Sequence, residues 1–390
     1  MQKIKILHII KSLGRGGAEM LLPETLKIHD TSKFEFHYIY FLPWKDQMVK
    51  PITDAGGRIT CLPASNNLKL IKQYPQVIAY CKDNQIDLIH CHLPWAGFLG
   101  RLVFYKTQIP TVYTEHNMQD RYHFLTKALN KISYNSQSLA LGVSDDVTKS
   151  IKSYIAPKIP VRTLLNGVNT ESFQKDIELG RKVRLDLGIP EDAMVFGNVA
   201  VFRFQKRLLE WLQVFKTIED KNPGVFGIIV GFGPLEQEVK AEVERLGLTE
   251  KVFFPGLQTN VKPYFSAMDV FMMSSSFEGL PIALLEAMSM ECAVVSTDAG
   301  GIKEVIRDGI DGLTCKVEEW NKLSDLSQVL INDREKLQTL KLASRKRVIN
   351  SFSLLTMVDE LEEIYSDYFN LNKRTKRSSA SLQNLGKTIT

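Results

Sequence analysis

The 390-residue chain, 44% hydrophobic and 24% charged, has the composition of a soluble globular protein and a length that calls for two domains, which excludes a disordered, collagen-like or disulfide-scaffold protein. Its formal charge of +5 comes from 49 Lys plus Arg against 44 Asp plus Glu, and the excess lies in one acid-free stretch, 371–390, that holds Lys373, Arg374, Lys376, Arg377 and Lys387. The rest is formally neutral, which argues against a nucleic-acid partner, since such a partner draws cations over one face of a fold.

Residues 5–10 (KILHII) predict a short buried strand, followed by a glycine-rich turn and a helix over 18–28. Strands at 34–41 and 59–62, a helix over 68–82, a strand at 86–90, a helix over 96–105 and strands at 111–114 and 139–143 continue the rhythm. Strands alternating with helices imply parallel βαβ units. Ser144 caps a helix that opens at Asp145-Asp146. A turn-rich connector occupies 167–190 and contains a charged helix near 177–187. A second alternation starts at 194–201 (MVFGNVAV) and passes through 208–218, 226–230, 235–246, 252–255, 270–274, 281–290 and 293–297. Its strands are nearly continuous in apolar residues, as expected when helices cover both faces. The fold class is therefore α/β, with two doubly wound Rossmann-like domains. A final amphipathic helix over 353–369 carries Leu354, Met357, Leu361, Ile364, Tyr365 and Tyr368 along one stripe. The basic tail 371–390 is expected to be disordered and suited to a peripheral contact with an anionic membrane face.

Five scattered cysteines (Cys61, Cys81, Cys91, Cys292, Cys315) form no CxxC pair and read as reduced cytoplasmic thiols. His90-Cys91-His92 invites a metal, but on a strand the histidines face one side and the cysteine the other, so no metal site is expected. The opening residues show no cleavage site after their apolar run, so no signal peptide is expected. No run approaches the ~18 apolar residues of a membrane span.

Two segments carry candidate chemistry. Gly14-Arg15-Gly16-Gly17-Ala18-Glu19 has Glu19 where a dinucleotide fingerprint needs its last glycine, which weakens an oxidoreductase reading. The turn still lets a ligand approach the backbone, and the helix start offers N–H groups to an anion. In residues 274–288 (SSSFEGLPIALLEAM), Glu278 precedes a helix that Pro281 opens, and Glu286 lies inside that helix among apolar neighbours. Both carboxylates then sit at the carboxyl ends of strands, where open α/β sheets bind ligands, and Gly279 and Leu280 offer N–H groups to a phosphate.

Residues 277–288 (FEGLPIALLEAM) resemble the E-x7-E signature of the family-4 glycosyltransferases, retaining enzymes of the GT-B fold, whose two Rossmann-like domains face each other across a cleft. Gly16-Gly17, residues 87–97 (DLIHCHLPWAG), 113–117 (YTEHN), 166–173 (NGVNTESF), Gly256 and 298–304 (DAGGIKE) resemble further family segments, in order, with Asn169 where Asp is commoner. The resemblance implies that Glu278 binds donor-sugar hydroxyls and Glu286 the nucleotide ribose. It implies that Gly16, Gly17, Gly279, Leu280 and Pro281 surround the diphosphate, that His116 lies beside the transferring sugar, and that His92 lies on the acceptor side. The implied domains are 1–172 with the crossing helix 353–370 on the acceptor side, and 173–352 for the nucleotide-sugar.

One segment departs from the family pattern. Where G-R-L-x-x-x-K-G is usual, residues 199–208 read VAVFRFQKRL, with Arg203 and Lys206 three apart and Arg207 next, similar to a compact F-R-x-x-K-R variant. Lys206 first, then Arg203, then Arg207 are assigned to the diphosphate, where cations stabilise charge growing on the leaving group. The expectation is a cytoplasmic, metal-independent, cofactor-free retaining glycosyltransferase. It moves a sugar from a nucleotide-diphosphate sugar to a sugar, glycolipid or other hydroxyl acceptor in polysaccharide or glycolipid biosynthesis. Two rivals share the architecture: a sugar-nucleotide 2-epimerase and a non-catalytic sugar-nucleotide-binding subunit. Trp44, Trp95, Tyr113 and Tyr122 are candidates to stack on an acceptor, while 40–70 and 118–130 show no legible pattern.

Overall fold

The computed structural model describes the backbone of residues 3–386, with side chains described as far as Lys373. The chain divides into two compact units, 1–165 with 355–390, and 166–354.

The first unit begins β1 (Ile4–Ile10), α1 (Gly17–Leu26), β2 (Phe34–Tyr40), α2 (Val49–Asp54) and β3 (Arg58–Cys61). It continues α3 (Asn67–Ile71), α4 (Tyr74–Asn84), β4 (Leu88–His92), α5 (Pro94–Thr107) and β5 (Thr111–Glu115). Then come α6 (Phe124–Ser133), β6 (Leu139–Gly142), α7 (Asp145–Tyr154) and β7 (Val161–Thr163). Its seven parallel strands lie in the order β3-β2-β1-β4-β5-β6-β7. Ile6, Ile9 and Ile10 of β1 are fully buried, which accounts for that strand's unbroken apolar run.

The helix expected over 68–82 is two helices, α3 and α4. Pro75 explains the break: it has no N–H to offer Ile71, and its ring crowds that carbonyl. Ser144 caps α7 as expected, its side chain accepting from the Val147 N–H at 3.2 Å.

The second unit runs α8 (Ile177–Asp186), β8 (Met194–Val201), α9 (Leu208–Lys221), β9 (Val225–Phe232), α10 (Glu236–Arg245) and β10 (Val252–Gly256). There follow α11 (Lys262–Ala267), β11 (Val270–Met273), α12 (Ile282–Ser289), β12 (Ala293–Thr297), α13 (Ile302–Val305) and β13 (Leu313–Cys315). Helices α14 (Leu323–Asn332) and α15 (Arg334–Ser351) complete it. Its six parallel strands lie in the order β10-β9-β8-β11-β12-β13. The core is built around Phe196, Trp211, Phe215, Ile229, Met272 and Val295, with Trp211 and Phe215 stacked at 5.3 Å.

Helix α16 (Leu354–Gly386) returns to the first unit, whose core takes Leu361, Ile364 and Tyr365 from it. Expected disorder from 371 is not what the backbone shows: it stays helical to Gly386. The reason is local, since 371–385 contain neither proline nor glycine to stop a helix already under way. The side chains of 374–386 and residues 387–390 lie outside the described residues, so the membrane contact expected of the basic cluster falls there. Among the described residues, no helix is long and apolar enough to cross a membrane.

Candidate active site

Each sheet reverses its winding once. In the second unit the chain lays β8, β9 and β10 in one direction and β11, β12 and β13 in the other, so the reversal falls between β8 and β11. The loops leaving the carboxyl ends of two such strands part and leave a crevice, the usual ligand position in open α/β sheets. Lys206 follows β8 and Glu278 follows β11, and across this point Lys206 Nζ donates to Glu278 Oε1 at 2.6 Å. Ser275 Oγ donates to the same oxygen at 2.7 Å.

The surrounding loops fix this pair from the backbone. Ser274 Oγ donates to the Arg207 and Lys206 carbonyls at 2.7 and 3.1 Å, and the Ser276 N–H donates to the Gln205 carbonyl at 2.8 Å. Thr297 Oγ1, at the end of β12, donates to the Ser275 carbonyl at 2.7 Å. Gly300 holds a φ of +54°, and a Cβ there would lie 2.1 Å from the Glu278 carbonyl oxygen. Only glycine meets both conditions, so the DAGG turn seals the back of the Glu278 loop.

Other predicted residues of this unit take definite places. Pro281 is the N-cap of α12, one position earlier than its expected place inside the helix. Leu280 is buried, and its carbonyl accepts from Asn166 Nδ2 at 3.0 Å; Gly279 is half-buried beside it. Glu286 is buried in α12, eight residues beyond Glu278. Arg203 is exposed, and among the described residues no hydrogen bond or ion pair engages its side chain. Arg207 adopts a left-handed backbone, and its Nη1 donates to the Val317 carbonyl at 2.9 Å, so it ties loops together.

The first unit reverses between β1 and β4. The Gly14–Gly17 turn leaves β1 at this point, and Gly17 opens α1. A Cβ on Gly16 would lie 2.3 Å from Glu19 Oε2, so glycine lets the Glu19 carboxylate fold back over the turn; Ser12 Oγ donates to Glu19 Oε1 at 3.1 Å. His92 ends β4, and His116 follows β5, with ring centres 6.0 Å apart. His92 Nδ1 and His116 Nε2 are buried atoms without a hydrogen-bond partner. Burial keeps both rings neutral, with His116 pushed down to about 4.

The residue just before His116 in the chain has no role legible in the sequence. Glu115, wholly buried, accepts from the His116 and Asn117 N–H groups, the Tyr113 and Tyr122 hydroxyls and Gln119 Nε2, at 2.5 to 3.2 Å. Burial raises its carboxyl above the usual range, against the pull of these donors. Tyr113 and Tyr122, candidates for stacking on an acceptor, are thus engaged in holding Glu115. The signal for Glu115 was present in YTEHN, but an acid ending a buried strand is recognisable only once its donors converge.

The first unit also gathers His8, His90 and His92, whose ring nitrogens lie within 4.8 Å of one another. His8 arrives through strand pairing, opposite His90 on β1, a neighbour the local His90-Cys91-His92 pattern does not reveal. Four of its six ring nitrogens are already engaged: His8 Nδ1 with His92 Nε2 at 2.9 Å, and both His90 nitrogens with Tyr365 and Thr114 at 2.7 Å. An ion here would have to break these bonds, so the donor set is poorly suited to one.

Residues 28–172 match the family described as Glycosyltransferase Family 4, and residues 181–347 match Glycosyl transferases group 1. The chain is a group 1 glycosyltransferase of family 4. Relatives of this glycosyltransferase include the UDP-Gal:alpha-D-GlcNAc-diphosphoundecaprenol alpha-1,3-galactosyltransferase of Escherichia coli, 23% identical over 94% of this chain and 97% of that one. EpsD of Bacillus subtilis, described as a glycosyltransferase, is 27% identical over 87% and 95%. Anabaena HepE, solved with UDP-glucose, superposes with a TM-score of 0.84 at 19% identity, over 93% of this chain and all of that one. Sucrose-phosphate synthase of Thermosynechococcus elongatus gives 0.82 at 17% identity, over 95% and 100%. These likenesses establish the two-domain Rossmann-like GT-B fold for this glycosyltransferase.

Proposed function

We propose that this glycosyltransferase moves a hexose from a UDP-sugar to a hydroxyl of a sugar or glycolipid acceptor, with retention at the anomeric carbon and without a divalent ion. The observation that supports it is the Lys206–Glu278 pair across the β8/β11 reversal, which sets a cation and a carboxylate side by side. Lys206, with Arg203, answers the charge that develops on the leaving diphosphate, the part otherwise played by a metal. Glu278 receives donor-sugar hydroxyls, Glu286 the ribose, and the Gly279-Leu280-Pro281 backbone lies along the phosphates.

The first unit is assigned the acceptor and the transferring sugar. Gly16 and Gly17 are assigned to the phosphate end of the donor and the nitrogens of His116 and His92 to sugar hydroxyls, which their lack of a partner within the protein supports. Neutral histidines suit this task, because each offers a donor or an acceptor without bringing a second charge. The leaving phosphate oxygen takes the acceptor's proton as the new bond forms on the same face. Uridine is the base to test first, because HepE was solved with UDP-glucose and the E. coli relative is named for UDP-Gal. Those names also support glycolipid or polysaccharide synthesis as the setting.

The test is a panel of UDP- and GDP-sugars read by thermal stabilisation, then transfer assays with EDTA and the anomeric configuration read by NMR. One UDP-sugar is expected to stabilise the protein and yield a retained linkage in EDTA. Full transferase activity in Glu278→Ala, or release of an epimerised nucleotide-sugar from donor alone, would overturn the proposal.

A further inference from the structure

Helix α6 is built inside out. Its solvent face carries Phe124, Leu125, Leu129 and Ile132, exposed by 68%, 57%, 42% and 83%. Its inward face is polar: Asn130 is fully buried, accepting from Arg101 Nη1 at 2.8 Å and donating to Gln119 Oε1 at 2.9 Å, and Ser133 accepts from Arg101 at 3.1 Å. A surface helix ordinarily turns its apolar stripe to the core. Here the core side is fixed by the buried Arg101, so the stripe cannot roll inward without breaking that network.

The stripe's chemistry indicates what covers it. Lys127 and Lys131 lie on the helix, which has no acidic residue. A second copy meeting the stripe through a twofold contact would bring four lysines together without a counter-charge. A ten-residue helix spans about 15 Å, and its one exposed face falls well short of the roughly 800 Å² per partner that a stable protein interface buries. Aromatic and aliphatic side chains flanked by lysines, on a helix lying along a surface, fit a lipid interface carrying negative headgroups.

We infer that α6 is a docking element for an anionic lipid surface, Phe124, Leu125, Leu129 and Ile132 entering the headgroup region and Lys127 and Lys131 meeting its charge. It belongs to the unit to which the acceptor is assigned, so docking would bring a lipid-borne acceptor and that unit to the same surface. The inference does not depend on the proposed reaction, because vesicle binding is read without any sugar.

The experiment is flotation of the full chain with phosphatidylcholine vesicles, pure or containing 30% phosphatidylglycerol. Three further proteins are compared: Leu125→Ser with Ile132→Ser, Lys127→Gln with Lys131→Gln, and a chain ending at Lys373. Circular dichroism and melting confirm that the exposed substitutions fold. Wild type is expected to partition at least tenfold better into the anionic vesicles, each double variant to lose at least tenfold there, and the shortened chain to keep most of its binding. Undiminished binding by the Leu125/Ile132 variant would overturn the inference, as would binding that vanishes with the shortened tail. A wild-type dimer that this variant converts to monomer would assign the stripe to a second copy and overturn it equally.

Discussion

Lys206→Met separates the structural and chemical parts of the Lys206–Glu278 pair. The contact is 2.6 Å long, and its side chains are 19% and 10% exposed, so solvent screens it only partly. A hydrogen bond between charged groups contributes about 1.5–3 kcal/mol. In a unit of this size 1 kcal/mol moves the melting temperature by about 2–4 °C, so a fall of roughly 3–12 °C is expected. If Lys206 also meets the leaving diphosphate, kcat falls by a further ~10²–10³, the usual loss when one charge-stabilising donor is removed. Glu278→Gln and the double variant complete the comparison. UDP stabilisation is expected to weaken in Lys206→Met and persist in Glu278→Gln, because only the lysine is assigned to phosphate. The assay is UDP-sugar turnover beside UDP-dependent melting. If Lys206→Met kept more than about a tenth of kcat/KM and bound UDP like wild type, the lysine would be only a strut for Glu278, and the reasoning would be refuted.

Two further outcomes follow from the first unit. Burial lowers the folded pKa of His8, His90, His92 and His116 below the ordinary 6.5, to about 3 for His90 and about 4 for His116. The unfolded chain therefore binds more protons below pH 6.5: stability is flat above that pH and falls as pH drops towards the folded values. At pH 5 His90 and His116 should each cost on the order of 2 kcal/mol, read as a lower urea midpoint than at pH 7.5; equal midpoints would contradict the burial argument. Glu115→Gln replaces an oxygen with an amide that faces donors, at about 1–3 kcal/mol. We expect a lower melting temperature and a kcat reduced about 10–100-fold through a displaced His116, with UDP stabilisation unchanged; wild-type kcat would limit Glu115 to folding.

The sequence showed best what depends on local pattern. Both alternations of strand and helix were legible because buried parallel strands must be apolar throughout, and residues 194–201 and 293–297 were placed without error. The Lys206–Glu278 pairing was less legible. Its members stand far apart in the chain, and only the position of the sheet reversal brings their loops together. The His8–His90 pairing was hidden for the same reason, since it depends on strand register; the donors around Glu115 all lie within seven residues of it, but only the turn of the chain after β5 aims them at one carboxylate. Helix α6 escaped because its pattern is inverted: Phe124, Leu125 and Ile132 read as core residues in a stretch with no obvious place for them, and Asn130 reads as surface. Its orientation is decided by Arg101, which the α5 sequence shows only as a cation in the middle of a largely apolar helix.

Helix α16 has a consequence for how the protein is made. The β-sheet of the first unit is complete by Thr163, yet Leu361, Ile364 and Tyr365 supply one wall of its core, and Tyr365 also bonds His90. Synthesised from the amino end, that half emerges from the ribosome early but stays open on one side until the whole second half has been translated. The later-made half can therefore close first, while the earlier one waits with bare apolar surface that chaperones would have reason to guard. A fragment ending at residue 165 would be an unfinished piece of the enzyme, prone to aggregate, in spite of carrying every strand of its sheet.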